Sequence, residues 1–115
     1  MSENRREYFR VFFDYSIDGD IIRQGGGSLS VKIENISVGG LRFTSSYILD
    51  LDEKVICSFN IFDSSFAIDG LIVHKYKKSN YTEYGVMFNI DPDTFSQLFK
   101  QLNYYQMRQR KGFEE

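Results

Sequence analysis

Apolar side chains recur at every second position in several stretches of this chain. Leu29, Val31 and Ile33 alternate with Ser30, Lys32 and Glu34, the period of a strand with one buried face. Val55, Cys57, Phe59 and Ile61 repeat the pattern, and Phe13, Tyr15 and Ile17 do so nearer the start. Leu41 and Phe43 open another strand, Phe66 to Tyr76 is a long extended run, and Tyr84 to Phe88 is a further one. Asp18-Gly19 predicts a turn, with Ile21 and Ile22 continuing as an edge strand. Gly25-Gly26-Gly27 predicts a loop, Asp63-Ser64-Ser65 a turn, and Lys77 to Asn80 a polar turn. Gly70 inside the long run predicts a bulge or a close backbone approach.

After Asp91 the period changes. Asp91-Pro92-Asp93 places a capping carboxylate, a first-turn proline and an acid at the positive end of a helix. Phe95, Leu98, Phe99, Leu102 and Tyr105 follow at helical spacing as one apolar stripe, and Gly112 is a stop. Tyr104 and Tyr105 could carry the stripe past the body of the fold and form a partner surface.

About six short strands and one amphipathic helix predict a mainly β chain, a small antiparallel barrel with a C-terminal α-helix. Residues 1–10 read as a flexible arginine-rich lead-in, 11–90 as the barrel, and 91–111 as a helix packing on the barrel or a partner. At 115 residues the chain holds one core. Eleven Phe and eight Tyr exclude a disordered chain. A net charge of −2 excludes a global attraction to nucleic acid or to an anionic membrane, so an anion site must be local. The charged N-terminus has no signal-peptide core, and no stretch approaches the ~18 apolar residues of a membrane span. With a single cysteine, Cys57, a reducing cytoplasm is the expected location.

Chemistry is sparse. No paired nucleophile and base, metal set or phosphate-loop glycine pattern is present, so an enzyme is not expected. Cys57 alternates with core positions, His74 is alone on a strand, and Asp50, Asp52 and Glu53 read as a solvated turn.

Two short signatures remain. Arg6 and Arg10 form R-x-x-x-R, preceded by Arg5. Asn35, Ser37 and Gly40 form N-x-S-x-x-G, with Gly39 beside it. Arginine forks match phosphate oxygens and the guanine O6/N7 edge, and they stack on purine faces. Asn35 and Ser37 can bond a guanine, a phosphate or their own backbone. Gly39 and Gly40 are expected to supply positive φ and close approach. Each signature alone also suits a solvated lead-in or a simple turn.

Together, and in this order, they resemble the PilZ family of cyclic di-GMP receptors. Phe9-Arg10-Val11, Asn35 to Phe43, Asp69-Gly70-Leu71-Ile72-Val73-His74 and Tyr84-Gly85-Val86-Met87-Phe88 extend the resemblance over nearly the whole chain. It implies a six-stranded barrel with the arginine segment folding over the ligand. Arg6 and Arg10 would grip guanine and phosphate, Asn35 and Ser37 would contact the ligand, and Gly40 would shape the turn. Arg5, just before the first motif arginine, implies an intercalated cyclic di-GMP dimer. No cofactor is implied, and the expected partners are cyclic di-GMP and an effector protein. No attached enzyme, transporter or flagellar-brake domain is in view, so a standalone adaptor is expected. Two alternatives stay open: a protein-interaction barrel that binds no nucleotide, and a single-stranded nucleic-acid binder, which the acidic balance disfavours.

Overall fold

The strands form where β-branched and aromatic residues alternate with polar ones, because that pattern suits a pleated surface buried on one side. The computed structural model describes residues 9–114. It contains β1 (Val11–Arg23), β2 (Ser28–Ser37), β3 (Gly40–Ser45), β4 (Lys54–Ile61), β5 (Ser64–Lys77), β6 (Thr82–Asn89) and α1 (Pro92–Glu114). All pairings are antiparallel, and the sheet closes in the order β1-β2-β3-β6-β5-β4, with β1 pairing β4. The fold is a six-stranded antiparallel barrel with one C-terminal helix, as expected.

Several local expectations are corrected. Asp18-Gly19 is not a turn. β1 runs straight through it, pairing Gly19 with Val31 of β2 and with Phe59 of β4. Pairing on both sides overrides the dipeptide's local preference. For the same reason Ile21 and Ile22 lie within a closed barrel rather than on an edge. The β4–β5 connection is Phe62-Asp63, since Ile61 already pairs with Ser64. α1 runs through Gly112 to Glu114, because one interior glycine costs only about 1 kcal/mol.

The register defines an inside and an outside. Val11, Ile36, Leu41, Val86 and Ile72 are successive cross-strand partners over β1, β2, β3, β6 and β5. Each is at most 4% exposed, so this row belongs to the core. Side chains on neighbouring positions of a strand point to opposite faces. The adjoining row, Phe12, Asn35, Arg42, Gly85 and His74, therefore lies on the outer surface.

Three ladders are interrupted beside that outer row. β2 carries Glu34 as an extra residue between Ile33 and Asn35 against the consecutive Phe43 and Arg42 of β3. β5 carries Val73 as an extra residue between Ile72 and His74. In β1, Phe12 to Ile17 spans the distance that Asn35 to Ile33 covers in β2, so residues 13–16 are extruded. Gly70, where a bulge was one option, is regular in register and is the other option, a close approach. A Cβ there would strike the Val86 side chain.

α1 starts at the expected cap, where Asp91 Oδ1 accepts the Thr94 N–H at 2.8 Å. Leu98 and Leu102 are fully buried against the barrel. Tyr105 meets Phe13 edge-on at 5.3 Å and Phe62 at 5.5 Å, so it packs on the fold; Tyr104 meets the same Phe62 at 5.2 Å but is 49% exposed. No helix among the described residues is long and apolar enough to cross a membrane.

Candidate functional site

The extra residue in β2 changes which side chains face out. Before it, Val31 and Ile33 point inward; after it, Ile36 does. The parity switch places Asn35 and Ser37 on the outer surface with Lys32 and Glu34. Without it Asn35 would follow Ile33 into the core. The motif thus works as a strand bulge that re-aims two polar groups, and Asn35 and Ser37 sit on β2 itself rather than in the turn.

Arg10, just before β1, crosses to these groups. Its Nη1 donates to Asn35 Oδ1 at 2.6 Å and its Nη2 to Ser37 Oγ at 3.3 Å. Ser37 Oγ also accepts the Gly39 N–H at 3.1 Å, tying the turn to the same cluster. Asn35 and Ser37 are each 4% exposed, so Arg10 satisfies polar atoms that would otherwise be costly to bury. Partial burial, and then the positive charge of Arg42, hold the Arg10 guanidinium below the usual arginine pKa. It stays charged, with further N–H donors beyond these two bonds.

Gly40 has a different role from the one expected. Positive φ occurs at Gly25, Gly26 and Gly27, not at Gly39 or Gly40. What Gly40 provides is space. A Cβ there would collide with the Val86 carbonyl oxygen, with the carbonyl carbon at 3.1 Å and Met87 Cα at 3.4 Å. The adjoining Phe88 N–H donates to the Gly39 carbonyl at 2.9 Å.

These groups border a groove of about 1020 Å³, at the upper end of the usual ~300–1,000 Å³ of ligand sites. Its floor is the outer row from Phe12 to His74, dipping at Gly85. His74 therefore does border the groove, packing over Gly85, where an added Cβ would lie 2.9 Å from the His74 Cβ. Arg5 and Arg6 lie outside the described residues.

Other groove residues were not singled out from sequence. Arg42 and Glu83 approach to 3.6 Å across β3 and β6. Burial, and then the charge of Glu83, raise the carboxyl pKa of Glu34. Arg10, Lys32 and Arg42 thus share the groove with Asp14, Glu34 and Glu83. No sequence signal identifies this set, because barrel closure and one bulge bring it together. Tyr15 was expected to alternate inward with Phe13 and Ile17, yet it is 89% exposed on the extruded stretch at the groove's edge.

Elsewhere, Cys57 is fully buried and desolvation pushes its thiol pKa up to about 12, which makes it an inert core residue. Among the described residues no cluster of His, Cys, Asp and Glu could hold a metal ion.

A family model described as the PilZ domain matches residues 4–104. Among solved structures, the PilZ domain with c-di-GMP of YcgR from Escherichia coli is similar at a TM-score of 0.80 and 15% identity, covering 96% of this chain and 98% of that one. The Bacillus subtilis inhibitor of motility MotI/DgrA is similar at 0.75 and 16% identity, covering 92% of this chain and 53% of that one. The MrkH–c-di-GMP complex from K. pneumonia is similar at 0.68 and 12% identity, covering 96% of this chain and 54% of that one. This chain thus spans all but a little of the isolated YcgR domain and about half of the longer relatives. At these identities the likeness establishes the fold. No curated protein matches the chain.

Proposed function

Because the chain belongs to the PilZ domain family, we propose that it is a cyclic di-GMP receptor and adaptor that binds the dinucleotide in the groove and signals to an effector protein. PilZ is a receptor fold rather than an enzyme family, so the expected outcome of binding is a changed surface and not a reaction. The observation that carries this reading is the Arg10 guanidinium held by Asn35 and Ser37 at the groove's edge. It is pre-aimed at an anion or a guanine edge, and pre-aiming reduces the ordering cost of binding. Arg6 joins Arg10 on the ligand, Gly39 and Gly40 let the chain approach it, and Arg5 favours two intercalated ligand molecules.

A route for the signal is supported by the neighbours of Arg10. Phe9 meets Phe99 of α1 edge-on at 5.6 Å, Phe13 meets Tyr105, and Gln109 Nε2 donates to the Phe12 carbonyl at 3.2 Å. Rearrangement of the arginine segment on binding would therefore be felt by the helix. The effector reads that change in the cytoplasm, in control of motility, exopolysaccharide or biofilm.

Calorimetric titration with cyclic di-GMP, with GTP as control, tests the reading. Selective binding weakened about ten- to hundred-fold in Arg10→Ala is expected, the size of a lost charge-assisted contact. A stoichiometry near two would support the role of Arg5. No heat and no thermal shift would overturn the receptor reading and leave a barrel that binds only proteins.

A further inference from the structure

Tyr15 is the most exposed large hydrophobic residue described, at 89%, although its place in the alternation assigns it to the core. Its aromatic neighbours on the same stretch have partners: Phe9 is against Phe99 and Phe13 against Tyr105. Among the described residues nothing engages the Tyr15 ring. The cause is the extrusion of residues 13–16, which spends extra chain length to hold this ring outside the barrel. Phe12, the last paired residue before that stretch, is itself 62% exposed and a member of the outer row that contains Asn35 and Arg42. Tyr15 and Phe12 thus stand over the same groove that Arg10, Asn35 and Ser37 border.

A flat ring next to fixed cationic donors suits a ligand with both phosphate and a planar base. Arginine supplies in-plane donors, and the ring supplies a face. We propose that Tyr15 is a base-stacking residue of this site, closing on a guanine face while Arg10 holds the polar edge or the phosphate. This rests on the nucleotide-binding reading above. Stacking of a base on an aromatic side chain accounts for roughly five- to hundred-fold in affinity, and every base offers a π-face. Tyr15 therefore contributes affinity, and discrimination falls to the hydrogen-bonding groups.

The test uses the full chain and cyclic di-GMP. Tyr15→Ala should weaken binding about ten-fold or more, while Tyr15→Phe, which keeps the ring, should bind as the wild type does. The thermal melt of the free protein should be unchanged in both, because the ring contributes almost no buried surface. The chain contains no tryptophan, so Tyr15→Trp introduces a single indole that can be excited apart from the tyrosines, and stacking on guanine should quench it in step with binding. Wild-type affinity in Tyr15→Ala, or an unquenched Tyr15→Trp at saturation, would overturn the stacking role while leaving the receptor reading intact. If the wild type itself shows no Arg10-dependent binding, the receptor reading fails first, and the stacking role fails with it.

Discussion

Replacing Gly40 by alanine separates two explanations for the motif's last glycine. If Gly40 were needed for backbone conformation, the variant would suffer local strain in a turn. The structure points instead to strand spacing. The new Cβ would fall inside the Val86 carbonyl oxygen, which belongs to backbone and cannot rotate away. Relief requires β3 and β6 to part, and this pair closes the barrel on the groove side. Overpacking of this kind costs about 1–3 kcal/mol. The neighbouring Phe88–Gly39 hydrogen bond, 2.9 Å long, would stretch, adding about 1 kcal/mol. The expected loss is therefore about 3 kcal/mol. At roughly 4–8 °C per kcal/mol for a domain near this size, the melting temperature should fall by about 12 °C or more. Calorimetry and urea unfolding would measure it. Gly26→Ala is the matched control. Gly26 has φ 109° and nothing within 4 Å of an added Cβ, so it tests conformational strain alone. Its loss should be nearer 1 kcal/mol, with ligand affinity unchanged. A Gly40→Ala variant within about 0.5 kcal/mol of wild type would refute the spacing argument.

Other substitutions probe the frame and the charge of the groove. Tyr84 is fully buried, and its hydroxyl accepts the Leu49 N–H and donates to the Tyr47 carbonyl, both at 2.9 Å. Tyr84→Phe should cost about 1–3 kcal/mol in urea unfolding, because it orphans a buried N–H. Glu34 has a raised folded-state pKa, so the folded chain prefers it protonated. That stabilisation is complete below the unfolded carboxylate value of about 4.3 and is lost as pH rises through the folded value. Glu34→Gln should accordingly raise the melting temperature at neutral pH, with the gain shrinking as pH falls toward about 4. An equal gain at every pH would show that charge is not the cause. Arg10→Lys keeps the charge but loses the fork, so it should recover only part of the affinity lost in Arg10→Ala.

The strand pattern was readable wherever burial alone decides it, as at Leu29, Val31 and Ile33. The capped helix was readable because Asp91 and Pro92 act within one turn. Asp18-Gly19 was misread because its pairing partners, Lys32, Val31 and Phe59, lie far away in sequence. The bulge at Glu34 and the extrusion at residues 13–16 carry no residue-type signature, since a bulge is a mismatch between two strands and not a property of one. Asn35, Ser37 and Arg10 were found by their motifs, and the structure brings these three together. Arg42, Glu83 and Tyr15 were missed as groove residues because only barrel closure and the register shifts put them there.

The three ladder interruptions all flank one face of the barrel. Amide hydrogens in an unbroken ladder exchange with deuterium only when strands separate, whereas those beside a bulge need a smaller opening. The groove is therefore the part of the β-surface where protons should be surrendered first. A ligand seated there would slow that exchange most at residues 12–17, 33–35 and 72–74. The groove coincides with the region of the barrel that has the most protection left to gain.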